Sequence, residues 1–345
     1  MTNDPVIIEA MKSLNTEQLT YLKSLTCNKN SNVNDKEFID LIKNNPFNKI
    51  KICPHCNHSK IIRYGINRSN KQKYKCKNCF KVFCNMTNSP MSYSKKSVTQ
   101  WIQYLKCMCK GYSLRKTADI VKIHRNTAFH WRHKILSAIK FIIPENLEGK
   151  VEIDEVKIRE SFKGNHSKNK DFIMNREVFK RGAYNYTNFF TKKVTIMCCK
   201  DSKGNLFLKT ASTGKSSFKV INFLLKDKIA KGSILLTNAN FGFNSFAKFQ
   251  NLKIYTSNGR FKSENNAYSN INAKLLGLEF KSFLKIFKGV STKYMNHYLT
   301  WFKWFKVTTT KNPIYKIVDF FFLLYSAEKE LRVEDFRKVH SLVNI

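Results

Sequence analysis

The spacing of apolar and polar residues divides the chain into a helical part and a later part with a different period. Between 97 and 110, apolar side chains such as Trp101 and Leu105 recur every three or four positions, and Gly111 ends the period. From residue 150 the pattern changes, and 151–156 alternates apolar with polar side chains as a half-buried strand does. The chain therefore predicts helices first and a mixed α/β fold after them.

The same pattern predicts the bounds of individual elements. Helices are predicted over 97–110, 113–121, 126–141, 217–229, 270–287, 292–306 and 314–329, and strands over 151–156, 194–199, 206–209, 234–237 and 254–256. The regions are a helical appendage at 1–48, a cysteine module at 49–90, an all-α region at 94–142, an α/β core at 150–306 and a C-terminal helical extension at 307–345. The basic, asparagine-rich insert at 159–193 is predicted to be a loop that faces DNA.

The charge of the chain indicates a class of partner. There are 62 Lys and Arg against 24 Asp and Glu, a formal net charge of +38. Between Leu41 and Lys140 the sole acidic residue is Asp119, against 22 basic residues. A polyanion would offset this self-repulsion, and nucleic acid is the usual one, so we expect the chain to bind nucleic acid. Codon drift in an AT-rich genome, which raises Lys and Asn throughout, is the alternative explanation of the composition.

No membrane span and no export leader are predicted. The longest apolar run, 320–325, is far shorter than the roughly 20 residues that a spanning helix needs. Asp4 and Glu9 lie in an amphipathic pattern that suits neither a secretory nor a mitochondrial leader. We expect an intracellular protein in a reducing compartment, which is the nucleus in a eukaryotic host and the cytoplasm or nucleoid in a bacterial one.

Two CxxC pairs predict a structural zinc site. Cys53 and Cys56 form one pair, Cys76 and Cys79 form the other, and 19 residues separate them. Each CxxC turn directs two sulfurs to one point, and zinc prefers four soft ligands in a tetrahedron. Predicted hairpin strands at 61–65 and 72–75 complete a zinc ribbon. His55 and His58 are alternative ligands, and a redox-active CxxC is the alternative function.

The segment 113–131 fits a helix-turn-helix. Ala118 is small at the point where two helices must cross closely, and Ile123 fills the turn. The second helix would present its first residues to base edges in the major groove. The residues predicted to contact DNA are Arg115, Arg125, Asn126, Thr127, His130 and Arg132. A helical hairpin with only a structural role is the alternative.

A zinc ribbon, a helix-turn-helix and then a strand with Ile153-Asp154-Glu155 resemble the plan of a group of bacterial insertion-sequence transposases and their eukaryotic Merlin relatives. The stretches 231–237, 283–294 and 298–302 add to the resemblance, which covers roughly residues 50–306. It implies that the α/β core, with its mixed sheet and helices, is an RNase H-like core. It also implies the catalytic chemistry of that group, which is phosphoryl transfer on DNA strands with two Mg²⁺ or Mn²⁺ ions.

The resemblance implies metal ligands on separate elements of this core. Asp154 matches the first carboxylate position. The family has Asp at the second position, where this chain has Asn238. At the third position an ungapped match gives Gly277, with Glu279 nearby in the sequence and Asn272 available only after a local shift. The catalytic set implied for this chain is Asp154, Asn238 and Glu279.

The function implied by the resemblance is that of a cut-and-paste transposase with a degraded catalytic triad. Its implied partners are the terminal repeats of the element in duplex DNA and further copies of the chain, in a homodimer or larger synaptic assembly. No membrane partner is expected. Two alternatives remain open, a domesticated or inactive transposase-derived DNA-binding protein and a zinc-dependent transcription regulator.

Overall fold

The computed structural model of the protein describes residues 52–67, 72–84, 86–140, 143–163, 193–238, 240–257, 269–307 and 332–337. The predicted N-terminal appendage, most of the 159–193 insert and the predicted helix at 314–329 lie outside the described residues. The chain divides into two compact units, one within Met1–Ile143 and Thr308–Arg337 and the other within Pro144–Val307 and Lys338–Ile345.

The first unit begins with a three-stranded antiparallel sheet that carries the cysteine pairs. Its strands, in this order across the sheet, are β1 (Ile61–Ile66), β2 (Gln72–Cys76) and β3 (Val82–Cys84). The first two are the predicted hairpin strands, whereas β3 was not predicted because three residues are too few to show alternation. Phe83 of β3 packs against Cys53 and Cys76, and these three side chains form a small buried cluster.

Three helices follow the sheet in the first unit. They are α1 (Val98–Cys109), α2 (Leu114–Val121) and α3 (Arg125–Ile139), close to the predicted bounds. A capping box fixes the start of α1, because Ser97 Oγ accepts from the Gln100 N–H and the Gln100 side chain accepts from the Ser97 N–H. Trp101 of α1 stacks on Trp131 of α3 with 3.7 Å between ring centroids. This stacking helps to fix α1 against α3.

The second unit is mixed α/β, as the change of period predicted, and its five-stranded sheet is mixed. The strands are β4 (Lys150–Arg159), β5 (Lys193–Asp201), β6 (Leu206–Thr213), β7 (Ile234–Asn238) and β8 (Lys253–Ser257). Their order across the sheet is β6-β5-β4-β7-β8. Strand β5 is antiparallel to both β4 and β6, while β7 is parallel to β4 and β8 is parallel to β7. Strand β4 is therefore central.

Helices lie on both faces of this sheet. They are α4 (Phe218–Leu225), α5 (Phe241–Phe249), α6 (Ile271–Lys285) and α7 (Met295–Val307), which follows a 3₁₀ turn at Thr292–Tyr294. Ile221 of α4 and Phe246 of α5 pack in the main apolar core with Val151 and Ile153 of β4. Alternate β4 residues point the other way, and there Gly277 of α6 lies directly over Val156.

Helix α5 was not predicted. It begins with Phe241, Gly242 and Phe243, which show no helical period, and its start is fixed by Asn240, whose side chain accepts from the Gly242 N–H at 3.0 Å. A last helix, α8 (Val333–Arg337), belongs to the first unit. Across the described ranges, every helix is too short or too polar to cross a membrane.

Candidate functional site

The four cysteines of the two CxxC pairs converge on one point. Their sulfur atoms all lie within 4.8 Å of one another, with Cys53 Sγ 3.6 Å from Cys79 Sγ and Cys56 Sγ 3.6 Å from Cys76 Sγ. Four sulfurs at the usual zinc–sulfur distance form a tetrahedron with edges of about 3.8 Å. The cluster therefore has the size and the donor chemistry to hold a metal ion such as zinc.

The two pairs adopt the same local backbone geometry. In the first, the His55 N–H donates to Cys53 Sγ at 3.4 Å, and in the second the Asn78 N–H donates to Cys76 Sγ at 3.3 Å. Amide donors of this kind stabilise negative charge on sulfur, which is the form that binds a metal. The first sulfur of each pair thus has the same backbone donor, two residues later in the chain.

The first cysteine of each pair also makes a backbone hydrogen bond with the residue five positions later. The Cys53 N–H donates to the His58 carbonyl oxygen at 2.9 Å, and the Cys76 N–H donates to the Lys81 carbonyl oxygen at 3.1 Å. His58 uses its ring nitrogen Nδ1 to accept from the Lys60 N–H at 3.1 Å. The cluster therefore consists of the four cysteines, and the His58 ring contacts the backbone of Lys60 and is not part of the cluster.

The pKa values of the thiols differ within the cluster. A backbone hydrogen bond from His58 lowers the pKa of Cys56 to about 6. The Lys81 N–H also lowers the pKa of Cys79, but burial and hydrogen bonds with the other three thiols outweigh it and raise that pKa to about 11. Cys56 therefore loses its proton more readily than Cys79 does.

The helical hairpin of α2 and α3 exposes most of the residues predicted to contact DNA. Arg115, Arg125 and Asn126 are exposed, and Thr127 and His130 are partly exposed. The turn between the helices places Lys122 in the left-handed conformation, with φ of 54°. Inside the hairpin, Ala118 is 2% and Ile123 9% exposed, whereas Ile120, which the apolar pattern also predicts to face inward, is 44% exposed.

Arg132 occupies a different environment from the rest of that set. Its side chain is fully buried, and Nη2 donates to the Tyr112 carbonyl oxygen at 2.7 Å. A buried guanidinium fixed to the backbone cannot reach a base edge in the groove. We therefore assign Arg132 to the packing of α3 and not to the exposed residues of the hairpin.

In the second unit, Asp154 and Asn238 lie side by side. Ile153 of β4 is in register with Thr237 of the parallel strand β7, so the next residue on each strand reaches the same edge of the sheet. The Asn238 Nδ2 atom donates to Asp154 Oδ1 at 2.6 Å. The structure thus brings together the first two residues of the predicted catalytic set.

Asn270, which the sequence reasoning did not single out, fixes the orientation of the Asn238 amide. Its Nδ2 donates to the Ile153 carbonyl oxygen and to Asn238 Oδ1, both at 3.0 Å. Because a carbonyl can only accept, Asn270 must present its NH₂ group here, and Asn238 must then present its oxygen to Asn270 and its NH₂ to Asp154. The NH₂ group of Asn238 therefore faces the Asp154 carboxylate, and its oxygen faces Asn270.

Burial raises the pKa of Asp154, and the nearby charge of Glu155 also raises it. The Glu155 N–H, the Lys274 ammonium and the Asn238 amide act in the opposite direction without reversing the shift. Lys274 lies on α6, the helix from which the resemblance implies a third acid. That helix therefore brings a cation close to Asp154.

The third predicted residue does not join this pair. Glu279 is half-exposed and forms an ion pair with Lys306 of α7 at 2.8 Å. Gly277 has no room for a ligand, because a Cβ atom built there would lie 2.0 Å from Val156 Cγ2. Asn272 donates from Nδ2 to Glu152 Oε1 at 2.7 Å. Within the described residues, the four cysteines form the only converging group of three or more His, Cys, Asp or Glu side chains.

Comparison with known proteins links the chain to a mobile element. No family model matches its sequence. Over 113 residues it is 29% identical to an uncharacterized protein in transposable element ISH50 from Halobacterium salinarum. The match covers 32% of this chain and 38% of that protein, so the chain spans well under half the length of this relative. The chain is thus distantly similar to a transposon-related protein.

Proposed function

We propose that this chain is a transposase-type protein that binds duplex DNA, with an RNase H-like core whose metal-dependent strand cleavage is impaired. The observation that carries the proposal is the position of Asp154 and Asn238 at adjacent strand ends in a mixed five-stranded sheet. The likeness to a transposable-element protein and the high positive charge support it.

The cysteine module is proposed to be a zinc ribbon. Support comes from the matched turns, the sulfur spacing and the three-stranded antiparallel sheet. Zinc held by Cys53, Cys56, Cys76 and Cys79 would have a structural role, because four protein ligands leave no open position for a substrate. So small a sheet buries little apolar surface, so metal binding would supply much of its folding free energy.

The hairpin of α2 and α3 is proposed to be the helix-turn-helix that binds duplex DNA. The exposed start of α3 carries Arg125 and Asn126, whose side chains match guanine and adenine edges in the major groove. Arg115 on α2 is exposed as well and would contact the phosphate backbone. Arg132 is excluded from this proposed interface because it is buried.

The donor set around Asp154 does not fit a pair of Mg²⁺ or Mn²⁺ ions. Two divalent ions need several anionic oxygen ligands, and here Asp154 faces the NH₂ group of Asn238 and lies near Lys274. An impaired copy that retains DNA binding accounts for these residues better than an efficient transposase does.

Restoring the second acid tests the core. Asn238→Asp should gain Mn²⁺-dependent nicking of duplex DNA, because a restored electrostatic contact in a catalytic site is worth up to about 10²–10³ in rate. The matched control Asn222→Asp adds the same charge on α4 and should change nothing. Asp154→Asn in the Asn238→Asp background should remove the gain.

Two results would count against this assignment of the core. The first is efficient nicking by the unaltered chain that survives Asp154→Asn. The second is equal nicking by Asn222→Asp and Asn238→Asp. Either one would place the active carboxylates elsewhere in the chain.

Binding to duplexes selected from a random pool tests the helical hairpin. We expect Asn126→Ala to reduce discrimination between a selected and a scrambled duplex by about 1–3 kcal/mol, since loss of a base contact has that effect. Lys77 is an exposed basic residue of the cysteine module. Lys77→Ala should weaken binding to the selected and the scrambled duplex by the same factor. If Asn126→Ala left discrimination unchanged, α3 would not be the recognition helix.

A further inference from the structure

The sheet of the cysteine module has one covered face and one open face. Phe83 and Tyr74 lie on the covered face and pack around the cysteines. The next row across the strands, Ile62 paired with Lys75 and Lys75 paired with Val82, points the other way. We call Ile62, Tyr64, Lys73, Lys75 and Val82, together with the adjoining Phe80, the open face.

Aromatic and basic side chains alternate on the open face. The Lys75 ammonium lies 5.4 Å from the centroid of the Tyr64 ring and 5.9 Å from that of Phe80, while Lys73 lies 5.5 Å from Tyr64. Tyr64 is still 48% exposed and Phe80 68% exposed. Each ring thus exposes part of its apolar surface to solvent and has a lysine ammonium over the ring.

The conformation of Phe80 is costly and calls for an explanation. Its φ of 59° is left-handed, which disfavours bulky side chains, and the equivalent turn position in the first CxxC pair is held by Asn57 at φ of 56°. Asn or Gly would occupy such a position at lower cost. Residues held in disfavoured backbone conformations cluster at functional sites, so Phe80 is a candidate contact residue.

The charge of the module favours a nucleic acid over a protein as the occupant. The sequence has no acidic residue between Leu41 and Ala118. The lysines supply charge for phosphates, and the rings supply flat surfaces on which bases stack. A duplex keeps its bases stacked inside and offers the rings little contact, whereas a single strand offers both phosphates and base faces.

We propose that the open face binds single-stranded DNA, with unpaired bases stacked on Tyr64 and Phe80 and phosphates held by Lys73 and Lys75. This surface is made of different residues from the recognition helix proposed above. Duplex binding through α3 and single-strand binding through the open face can therefore be measured separately.

The experiment measures binding of the full zinc-loaded chain to a labelled oligothymidine of about 15 nucleotides by fluorescence anisotropy. Tyr64→Ala and Phe80→Ala should each weaken binding about tenfold, the usual effect of removing one stacking ring. Tyr64→Phe keeps the ring and should bind as the parent does. Phe223→Ala, which removes a ring that is 61% exposed on α4, is the matched control and should have no effect.

Salt dependence gives a second measurement. Lys75→Ala should reduce the slope of log affinity against log salt by about 0.7 for a single strand. Zinc content and thermal unfolding of each variant show whether the module remains folded. Tyr64→Phe keeps the ring, so a loss of binding in this variant would point to the hydroxyl group and not to stacking. Asn126→Ala should leave oligothymidine binding unchanged while it alters duplex binding.

Three results would overturn the proposal. One is parental affinity for oligothymidine in the folded Tyr64→Ala and Phe80→Ala variants. Another is an equal loss in Phe223→Ala. The third is an equal loss of duplex affinity in the two ring variants, which would make the open face a general phosphate surface.

Discussion

Gly277→Ala adds one methyl group at the contact between helix α6 and strand β4. The added Cβ would lie 2.0 Å from Val156 Cγ2, whereas carbon atoms in van der Waals contact are about 3.5–4.0 Å apart. Val156 is only 6% exposed and belongs to the central strand, so it has little room to move. The helix must therefore shift away from the sheet by more than 1 Å.

The expected loss of stability follows from two opposing effects. Overpacking of a core contact costs about 1–3 kcal/mol, and more where neighbours cannot yield, as here. Ala in place of Gly in a helix contributes about 1 kcal/mol in the favourable direction. We expect a net loss of about 2 kcal/mol or more, which for a unit of this size lowers the Tm by about 4–8 °C.

Thermal and urea unfolding of the full chain, with a double-mutant cycle, measures this contact. Val156→Ala removes the clashing methyl, so Gly277→Ala should cost little in that background, with a coupling of about 2 kcal/mol. Ser282→Ala on the exposed side of the same helix is the control and should change stability by less than about 0.5 kcal/mol. An unchanged or raised Tm for Gly277→Ala would refute the close approach of α6 to β4, and with it the argument that position 277 has no room for a metal ligand.

Three further predictions concern the metal and the buried ionisable groups. Cys76→Ser should release bound zinc and unfold the cysteine module while the second unit still unfolds cooperatively, as measured by elemental analysis and calorimetry. The pKa of Asp154 is raised, so the contribution of this residue to stability is lost as pH rises above 3.8, the ordinary pKa of an Asp. Asp154→Asn should therefore be more stable than the parent at pH 7, as measured by thermal unfolding. Equal stability of the two proteins at pH 7 would contradict this. Burial lowers the pKa of Lys303 to about 8, so this residue makes stability rise between about pH 8 and 10.5, and Lys303→Met should reduce the slope of unfolding free energy there by up to about 1.4 kcal/mol per pH unit.

The sequence predicts those elements whose local pattern also determines the packing. The alternation at 151–156 places Ile153 toward the apolar core and Asp154 away from it, and the structure has both as expected. The CxxC spacing likewise predicts convergence of four sulfurs, because the turn alone directs each pair.

Features that depend on contacts between distant segments were not predictable in this way. Arg132 looks like its exposed neighbours in sequence, yet it is buried and donates to the Tyr112 carbonyl oxygen 20 residues earlier, a contact that no local pattern indicates. Asn270 looks like a helix start, and its contact with Asn238 arises because α6 crosses the strand ends. Helix α5 depends on a single cap at Asn240 and on burial of Phe243 and Phe246, not on a helical period.

The hydrogen bonds from Asn270 through Asn238 to Asp154 join the adjacent strand ends by contacts within the chain itself. Two adjacent carboxylates at these strand ends would repel each other whenever divalent ions were scarce, so the folded population would vary with their concentration. The amide of Asn238 neutralises that repulsion within the chain itself. We expect a protein built in this way to keep the same core conformation at low and at high magnesium concentration.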